Sequence, residues 1–339
     1  MSFRIRPANA EDFGAIYEMA KLTGGGFTNL PPDRGTLVAK LARSDKSFAR
    51  MEDSQEGDMY MFVLEDPKAK SVRGTCQIFG QVGVIQPFYS YHLSTLTQTS
   101  PELGKTFRNQ ILTLTTDLEG SSEVGGLFLH PEMRASGLGA LLARSRYLFI
   151  KEHRGRFGPR TLAELRGVMD EVGNAPFWDA LAGRFFGMTF PEADDFNAVH
   201  GTKFIADLMP KTPIYVSLLN EAGRAVIGQP HPSGRAAMRM LEQEGFTAEG
   251  YVDIFDGGPT MSVRTDDIRT INEARELVLT AIDDAAIGKR MMLAAGELRA
   301  FACGYGHVAI ADDGGATLDT AAARLLGIEP DDRFLAIGR

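Results

Sequence analysis

The run Arg134-x-x-Gly137-x-Gly139-Ala140 sets one guanidinium and two spaced glycines between an apolar, strand-like stretch at 123–130 and a helix-like stretch from about 138 to 152. Glycines there let the chain turn tightly and leave its backbone open to a ligand, with no Cβ in the way. A helix N-terminus offers unpaired N–H groups and a partial positive charge, which suits a pyrophosphate. Arg134 adds charge-assisted hydrogen bonds. The same spacing also serves an ordinary strand-to-helix turn, so the bare motif leaves both readings open. It lacks the Lys-Ser/Thr of a P-loop. It also falls in mid-chain, unlike a dinucleotide fingerprint on a first strand.

The elements around this turn follow from periodicity and breaks. Residues 3–7 alternate like a first strand, and Asp12 is placed to cap a helix whose Ile16, Met19 and Ala20 share one face. The Gly24-Gly25-Gly26 stretch ends it, and 35–48 reads as a second helix. Strands are expected at 59–65 and 72–82, around the turn Asp66-Pro67-Lys68. Residues 85–120, rich in Thr and Ser, read as an insertion with some β structure. A strand at 162–170, a helix near 175–187, mostly helical chain over 195–228, a helix after His231-Pro232 and a strand near 250–255 complete a first domain, 1–264. Short strand-like pieces at 277–282, 291–294, 307–311 and 333–337 between Gly and Asp turns mark a small β-rich domain, 265–339.

Composition bounds the partners. The 339 residues are 44% hydrophobic, enough for a sizeable core, and the net charge of −8 argues against general affinity for nucleic acid or an anionic membrane. Two cysteines, Cys76 and Cys303, make neither a disulfide framework nor a zinc-ligand set, which points to a reducing compartment. The N-terminus lacks the apolar core of a signal peptide, and no apolar run approaches the roughly 20 residues of a membrane span. A cytoplasmic protein is expected. His92, His130, His153, His200 and His307 show no metal-site spacing, and no metal is expected.

An arginine and spaced glycines after the fourth core strand resemble the coenzyme A loop of the GCN5-related N-acetyltransferase superfamily. The order strand, helix, helix, three strands, helix, strand, helix is similar as well. The resemblance implies an α+β fold with a mixed, mostly antiparallel sheet, here followed by a barrel-like β-rich C-terminal domain. It also implies that the strand before the loop splays from its neighbour and offers backbone groups to an acyl-CoA. The matching residues are Leu127, Phe128 and Leu129, with Leu127 foremost and Arg134, Gly137 and Gly139 at the pyrophosphate.

Longer stretches are more specific: residues 23–31 (TGGGFTNLP), 120–123 (GSSE), 127–131 (LFLHP), 163–170 (AELRGVMD), 176–178 (PFW), 204–210 (FIADLMP), 213–215 (PIY), 226–232 (VIGQPHP) and 253–260 (DIFDGGPT). In this order they resemble the arginine N-succinyltransferase family over residues 3–262, with only a loose match beyond. The resemblance implies transfer of the succinyl group of succinyl-CoA, a co-substrate rather than a resident cofactor, to the α-amine of L-arginine. That is the first step of arginine catabolism by this route. It places the proton-handling role on His231 of Gly228-Gln229-Pro230-His231-Pro232. A histidine suits the chemistry: the amine must lose a proton, the departing thiolate gains one, and imidazole exchanges protons near neutrality. The plainer alternative is a histidine that caps the helix after Pro232. For a guanidinium the acids in family-like stretches are candidates, Glu123, Asp253 and Asp256 first, then Glu164 and Asp170. Gly25 and Gly26 are candidates for the acceptor loop. Ornithine as acceptor, a plain acetyl donor and a non-catalytic regulatory subunit are the rival readings. Self-association, or association with a related subunit, is expected.

Overall fold

The computed structural model describes residues 3–23, 29–134, 137–286, 288–311 and 315–338. The chain opens with strand β1 (Arg4–Pro7) and helices α1 (Phe13–Lys21) and α2 (Arg34–Ala49). Then come β2 (Met59–Asp66), β3 (Ser71–Phe79), the hairpin β4 (Ser90–Ser100) and β5 (Lys105–Thr115), and β6 (Ser122–Leu129). Helix α3 (Leu138–Glu152) leads to β7 (Arg160–Glu164). Short helices follow: α4 (Pro176–Ala180), α5 (Gly183–Phe186), α6 (Phe190–His200), α7 (Lys203–Leu208) and, after β8 (Ile214–Tyr215), α8 (Glu221–Val226). Helix α9 (Arg235–Gln243), β9 (Thr247–Val252), β10 (Pro259–Arg264) and α10 (Arg269–Glu273) come next. The last part is β11 (Arg275–Ile282), β12 (Lys289–Ala295), β13 (Ala302–Ile310), β14 (Gly315–Leu318), α11 (Thr320–Leu326) and β15 (Arg333–Gly338).

These strands form one hydrogen-bonded sheet in the order β12-β15-β11-β14-β13-β1-β2-β3-β6-β7-β10-β9-β4-β5-β8. Strand β12 also pairs with β13, which closes the last five strands into a small barrel. The pairs β6–β7 and β11–β14 are parallel, and the other strand pairs are antiparallel. The sheet is therefore mixed and mostly antiparallel, as expected.

Its two faces are covered differently. On one, α3 buries Leu141, Leu142, Leu148 and Phe149 against Phe62, Cys76 and Val124. On the other, α1 and α2 bury Ile16, Leu37 and Leu41 against Met59, Met61 and Phe128. The barrel is fastened to the rest by the pairing of Ile5 with Cys303 and by Phe301, whose ring lies 5.2 Å from Phe149 and 5.6 Å from Phe62. Burying each such aromatic stabilises the junction by about 1.5–3 kcal/mol.

Three details differ from the sequence reading. Asp12 makes no side-chain cap for α1; Asn9 caps the preceding turn, while Asp12 accepts from the Asn9 N–H at 2.8 Å and pairs with Arg6. The 85–120 segment is a long hairpin built into the sheet, with Tyr91 opposite Val252. The C-terminal part also holds β14 and α11, the latter capped by Asp319 and ended by Gly327 at φ +71°. Among the described residues no helix is long and apolar enough to cross a membrane.

Candidate active site

Strands β6 and β7 are in register only at Ser122–Thr161 and Glu123–Leu162. Beyond that point β7 stays with β10, Glu164 facing Thr260, and the rest of β6 diverges. On its other edge β6 bulges: Gly126 and Leu127 lie across from Cys76 alone. Gly126 sits at φ +57°, and a Cβ there would come within 2.7 Å of the Gln77 side chain. The Leu127 backbone thus has no register partner on either neighbouring strand among the described residues. An extended ligand with amide groups can pair with such an edge as an added strand would. Phe128 and Leu129 point their side chains into the two cores, so only their backbone can meet a ligand.

Strand β6 runs through the turn at Pro131–Met133 to the N-terminus of α3. Gly137 holds φ +77°, a left-handed conformation that glycine adopts without strain, and among the described residues no side chain caps the helix. A Cβ on Gly139 would meet only Leu129, at 4.0 Å. Arg134 is exposed beside this open end.

The acids gather on the α1/α2 side of the sheet, at the mouth of the strand divergence. The registers place Glu123, Glu164 and Thr260 on one face. Glu123 accepts from Asn29 Nδ2 at 3.3 Å, with Lys40 nearby; burial outweighs both and raises its carboxyl. Burial also lowers the Lys40 ammonium to about 8 against the pull of Glu123, and its Nζ donates to the Asn29 carbonyl at 3.0 Å. The Glu164 carboxyl has no hydrogen-bond partner among the described residues. Burial, then Asp253, Glu123 and Asp256, hold its carboxyl well above the ordinary range. The hydroxyl of fully buried Thr260 and Oε1 of Gln77 likewise lack partners among the described residues. Asp194 on α6 is raised by burial, with Asp195 and Asp253 adding to it and Arg166 opposing.

Asp253 and Asp256 build the loop that carries them. Asp253 Oδ1 accepts from the N–H groups of Phe255 and Asp256 at 2.7 and 2.8 Å. Asp256 accepts from Gly258 and Gly167 at 2.8 and 2.7 Å, and burial with the Asp253 charge pushes its carboxyl up to about 8. Both Asp256 oxygens are therefore spent on backbone, and its part in the cleft is structural. The glycines are needed here: a Cβ on Gly258 would lie 2.1 Å from the Leu165 carbonyl, and one on Gly167 2.4 Å from that of Asp256. Phe255 stacks on Trp178 with ring centres 5.7 Å apart, which seats the loop on the second hydrophobic core.

His231 is tied to the same place. Pro230 bridges Gly167, the His231 N–H donates to the Arg166 carbonyl at 2.7 Å, and Gly228 donates to Gly257 at 2.8 Å. Its Nδ1 lies 2.7 Å from the Ser233 hydroxyl and accepts from the Ser233 N–H at 3.3 Å. The capping alternative is thus real, but it occupies Nδ1 and leaves Nε2 to exchange a proton. Partial burial, then the Arg166 charge, lowers the ring below the usual imidazole value, so it is mainly neutral at neutral pH.

A family model described as arginine N-succinyltransferase beta subunit matches residues 3–270, and one for the C-terminal domain of that subunit matches 275–337. The chain belongs to the arginine N-succinyltransferase family. It is 43% identical to an arginine N-succinyltransferase of Citrobacter koseri over 274 residues, covering 80% of this chain and 79% of the relative. It is also 43% identical to an arginine N-succinyltransferase subunit beta of Pseudomonas aeruginosa, covering 83% of each. The solved structure of arginine/ornithine succinyltransferase subunit AI from Pseudomonas aeruginosa superposes with a TM-score of 0.90 at 30% identity, over 99% of this chain and 98% of that one. The fold is accordingly that of the succinyltransferase family, barrel included.

Of the residues singled out in the sequence, Leu127, Gly137 and Gly139 lie along one path from strand to helix. Glu123, Glu164 and Asp253 lie close enough to act on one another's charge, and His231 is fastened to the segment leaving β7. Gly25 and Gly26 lie outside the described residues. Asp170 is exposed and caps its own loop through Val172, Asn174 and Gly173. Sequence reasoning missed Lys40, Arg166 and Asp194. Lys40 on α2 and Asp194 on α6 belong to no motif of their own, and only tertiary structure turns them inward.

Proposed function

We propose that this chain transfers the succinyl group of succinyl-CoA to the α-amine of L-arginine, giving N2-succinylarginine and CoA. The observation that carries the reading is the divergence of β6 from β7. It leaves a backbone edge on β6 leading to the α3 N-terminus, beside a cluster of carboxylates on β6, β7 and the 253–258 loop, and the segment leaving β7 also fastens His231. The thioester arm lies along Leu127, the pyrophosphate meets the N–H groups at Gly137–Gly139 with Arg134, and the acceptor enters from the acidic side. Glu164, unpaired and flanked by Asp253 and Asp194, meets the guanidinium, and Arg166 meets the α-carboxylate.

In the reaction the neutral His231 ring acts as its Nδ1–H tautomer, giving up the Ser233 N–H cap and donating from Nδ1 to Ser233 Oγ instead, so that Nε2 is free to take the ammonium proton. The freed amine attacks the thioester carbonyl, the tetrahedral intermediate expels CoA thiolate, which receives the proton back from the imidazolium, and the second proton of the acylated nitrogen is released to solvent. Ornithine is a second acceptor consistent with a carboxylate cleft, and the similar solved structure is named for both amino acids. Both Pseudomonas relatives are named as subunits, which supports an associating chain.

A CoA-release assay tests the reading, with succinyl-CoA or acetyl-CoA against arginine, ornithine and lysine. Release dependent on arginine and faster with succinyl-CoA is expected. No arginine-dependent release from either donor would overturn it.

A further inference from the structure

A groove of about 560 Å³ lies between the first turns of α3 and the outer wall of the barrel. Leu138 and Leu141 form its helix side, and Arg290, Tyr305 and His307 stand on its barrel side. Strand register produces this set. Arg290 on β12 is directly opposite His307 on β13, and Tyr305 is two residues along β13, so all three share the outer face. The Arg290 guanidinium lies over the Tyr305 ring, 5.0 Å from its centre. Asp319 holds His307 from behind: Oδ2 accepts from its backbone N–H at 2.8 Å and lies 3.1 Å from Nδ1, leaving Nε2 outward. The volume falls within the roughly 300–1,000 Å³ of small-molecule sites.

We propose that this groove binds the adenosine 3′-phosphate end of the CoA donor, a step that rests on the acyl-CoA reading above. Leu138 belongs to the same helical turn whose N–H groups face the pyrophosphate. A nucleoside joined to that pyrophosphate leaves the helix end over the adjoining surface, and the barrel wall is that surface. A purine stacks on a phenol ring, here that of Tyr305, and Arg290 with His307 supplies donors for a phosphate monoester. The two acids of the groove are already engaged. Asp319 Oδ1 accepts from Ala322 N–H at 2.7 Å, and Asp284 accepts from the Thr320 N–H and hydroxyl at 2.8 and 3.0 Å. They shape the wall and hold His307 instead of facing the phosphate as unpaired charges. Under this assignment the barrel supplies binding energy remote from the reacting thioester.

The test compares CoA with 3′-dephospho-CoA by titration calorimetry on the full chain, in wild type, Arg290→Ala and Gly139→Asp. Arg290 is exposed, so its loss should leave the melting temperature unchanged. Wild type should prefer CoA by about tenfold or more, the scale of a charge-assisted hydrogen bond. Arg290→Ala should lose that preference through weaker CoA binding while 3′-dephospho-CoA binds as before, and Gly139→Asp should weaken both. Equal wild-type affinity for the two ligands would overturn the proposal, as would equal weakening of both by Arg290→Ala, with the acyl-CoA reading intact in either case. Failure of the wild type to bind CoA would overturn both.

Discussion

The His231 N–H donates to the Arg166 carbonyl at 2.7 Å, two residues past the end of β7, so the imidazole is positioned by the strand that bears Glu164. Its ring is held a second time through Nδ1 by Ser233. Replacing His231 by Ala should cut turnover by about a hundredfold to ten-thousandfold while both substrates still bind. Loss of the cap alone would cost about 1 kcal/mol of stability and leave the rate per folded molecule nearly intact. Turnover and melting measured on one preparation separate the two. Near-normal turnover would move the proton chemistry elsewhere.

The depressed imidazole sets the pH response. A base that must be neutral gives activity rising with pH through its pKa, so the acidic limb of kcat should fall below the usual imidazole range. Burial is the larger cause and Arg166 the second, so Arg166→Gln should move that limb to higher pH. The stability sign is fixed too. The unfolded chain protonates this ring first, so its contribution is present above the unfolded pKa and is lost as pH falls toward the folded one. A kcat–pH profile whose acidic limb stays put in Arg166→Gln would remove Arg166 from the electrostatics of His231.

Gly258→Ala should fail structurally. The added Cβ would meet the Leu165 carbonyl at 2.1 Å and the Gly167 nitrogen at 2.6 Å, both backbone. Overpacking of this kind costs about 1–3 kcal/mol, and here it would pry apart the two segments that seat His231. Lower melting together with lower turnover is expected. An unchanged melting temperature would show that the loop can shift.

Much of this site is legible in the sequence because short-range rules govern it. The glycine turn before α3 depends on the local backbone. The runs 163–170, 226–232 and 253–260 prove to be the three segments that lock around His231. The rest depends on partners distant in the chain. Asp256 reads as a free acid until Gly167 and Gly258 are seen to hold it, and Glu164 differs from it only in lacking such donors. Strand β14 and helix α11 are too short for periodicity to reveal, and the Arg290–Tyr305–His307 face exists only through cross-strand register.

Gly139→Asp separates fold from function at the cradle. The Gly139 Cβ position is open, and a carboxylate in the first turn of a helix is favourable by about 0.3–1 kcal/mol. The variant should melt no lower than wild type, yet bind CoA about tenfold or more weakly, because the new charge faces the pyrophosphate. Unchanged CoA affinity would remove the cradle assignment.

Glu164 offers the sharpest contrast between stability and activity. Its carboxyl is held well above the ordinary range by burial and by the charges of Asp253, Glu123 and Asp256, with no donor among the described residues to offset them. A carboxyl raised in the folded state contributes stability that is fully present below its unfolded pKa. That contribution is lost as pH rises toward the folded pKa, because the unfolded chain releases the proton more readily. At neutral pH the carboxyl therefore burdens the fold, whether it ionises in place or must keep a proton, and Glu164→Gln, similar in shape and uncharged, should raise the melting temperature there. The gain should vanish near pH 4, where the carboxyl is protonated in both states. An arriving guanidinium gives Glu164 a partner of opposite charge, so the same substitution should raise KM for arginine by about tenfold or more, the scale of a charged hydrogen bond. KM for the acyl donor should stay nearly constant. Melting curves at pH 4 and pH 7.5, paired with KM for each substrate, check both halves. An unaltered arginine KM would dismiss Glu164 as the guanidinium partner, and a lower melting temperature at pH 7.5 would show that its charge is satisfied within the fold.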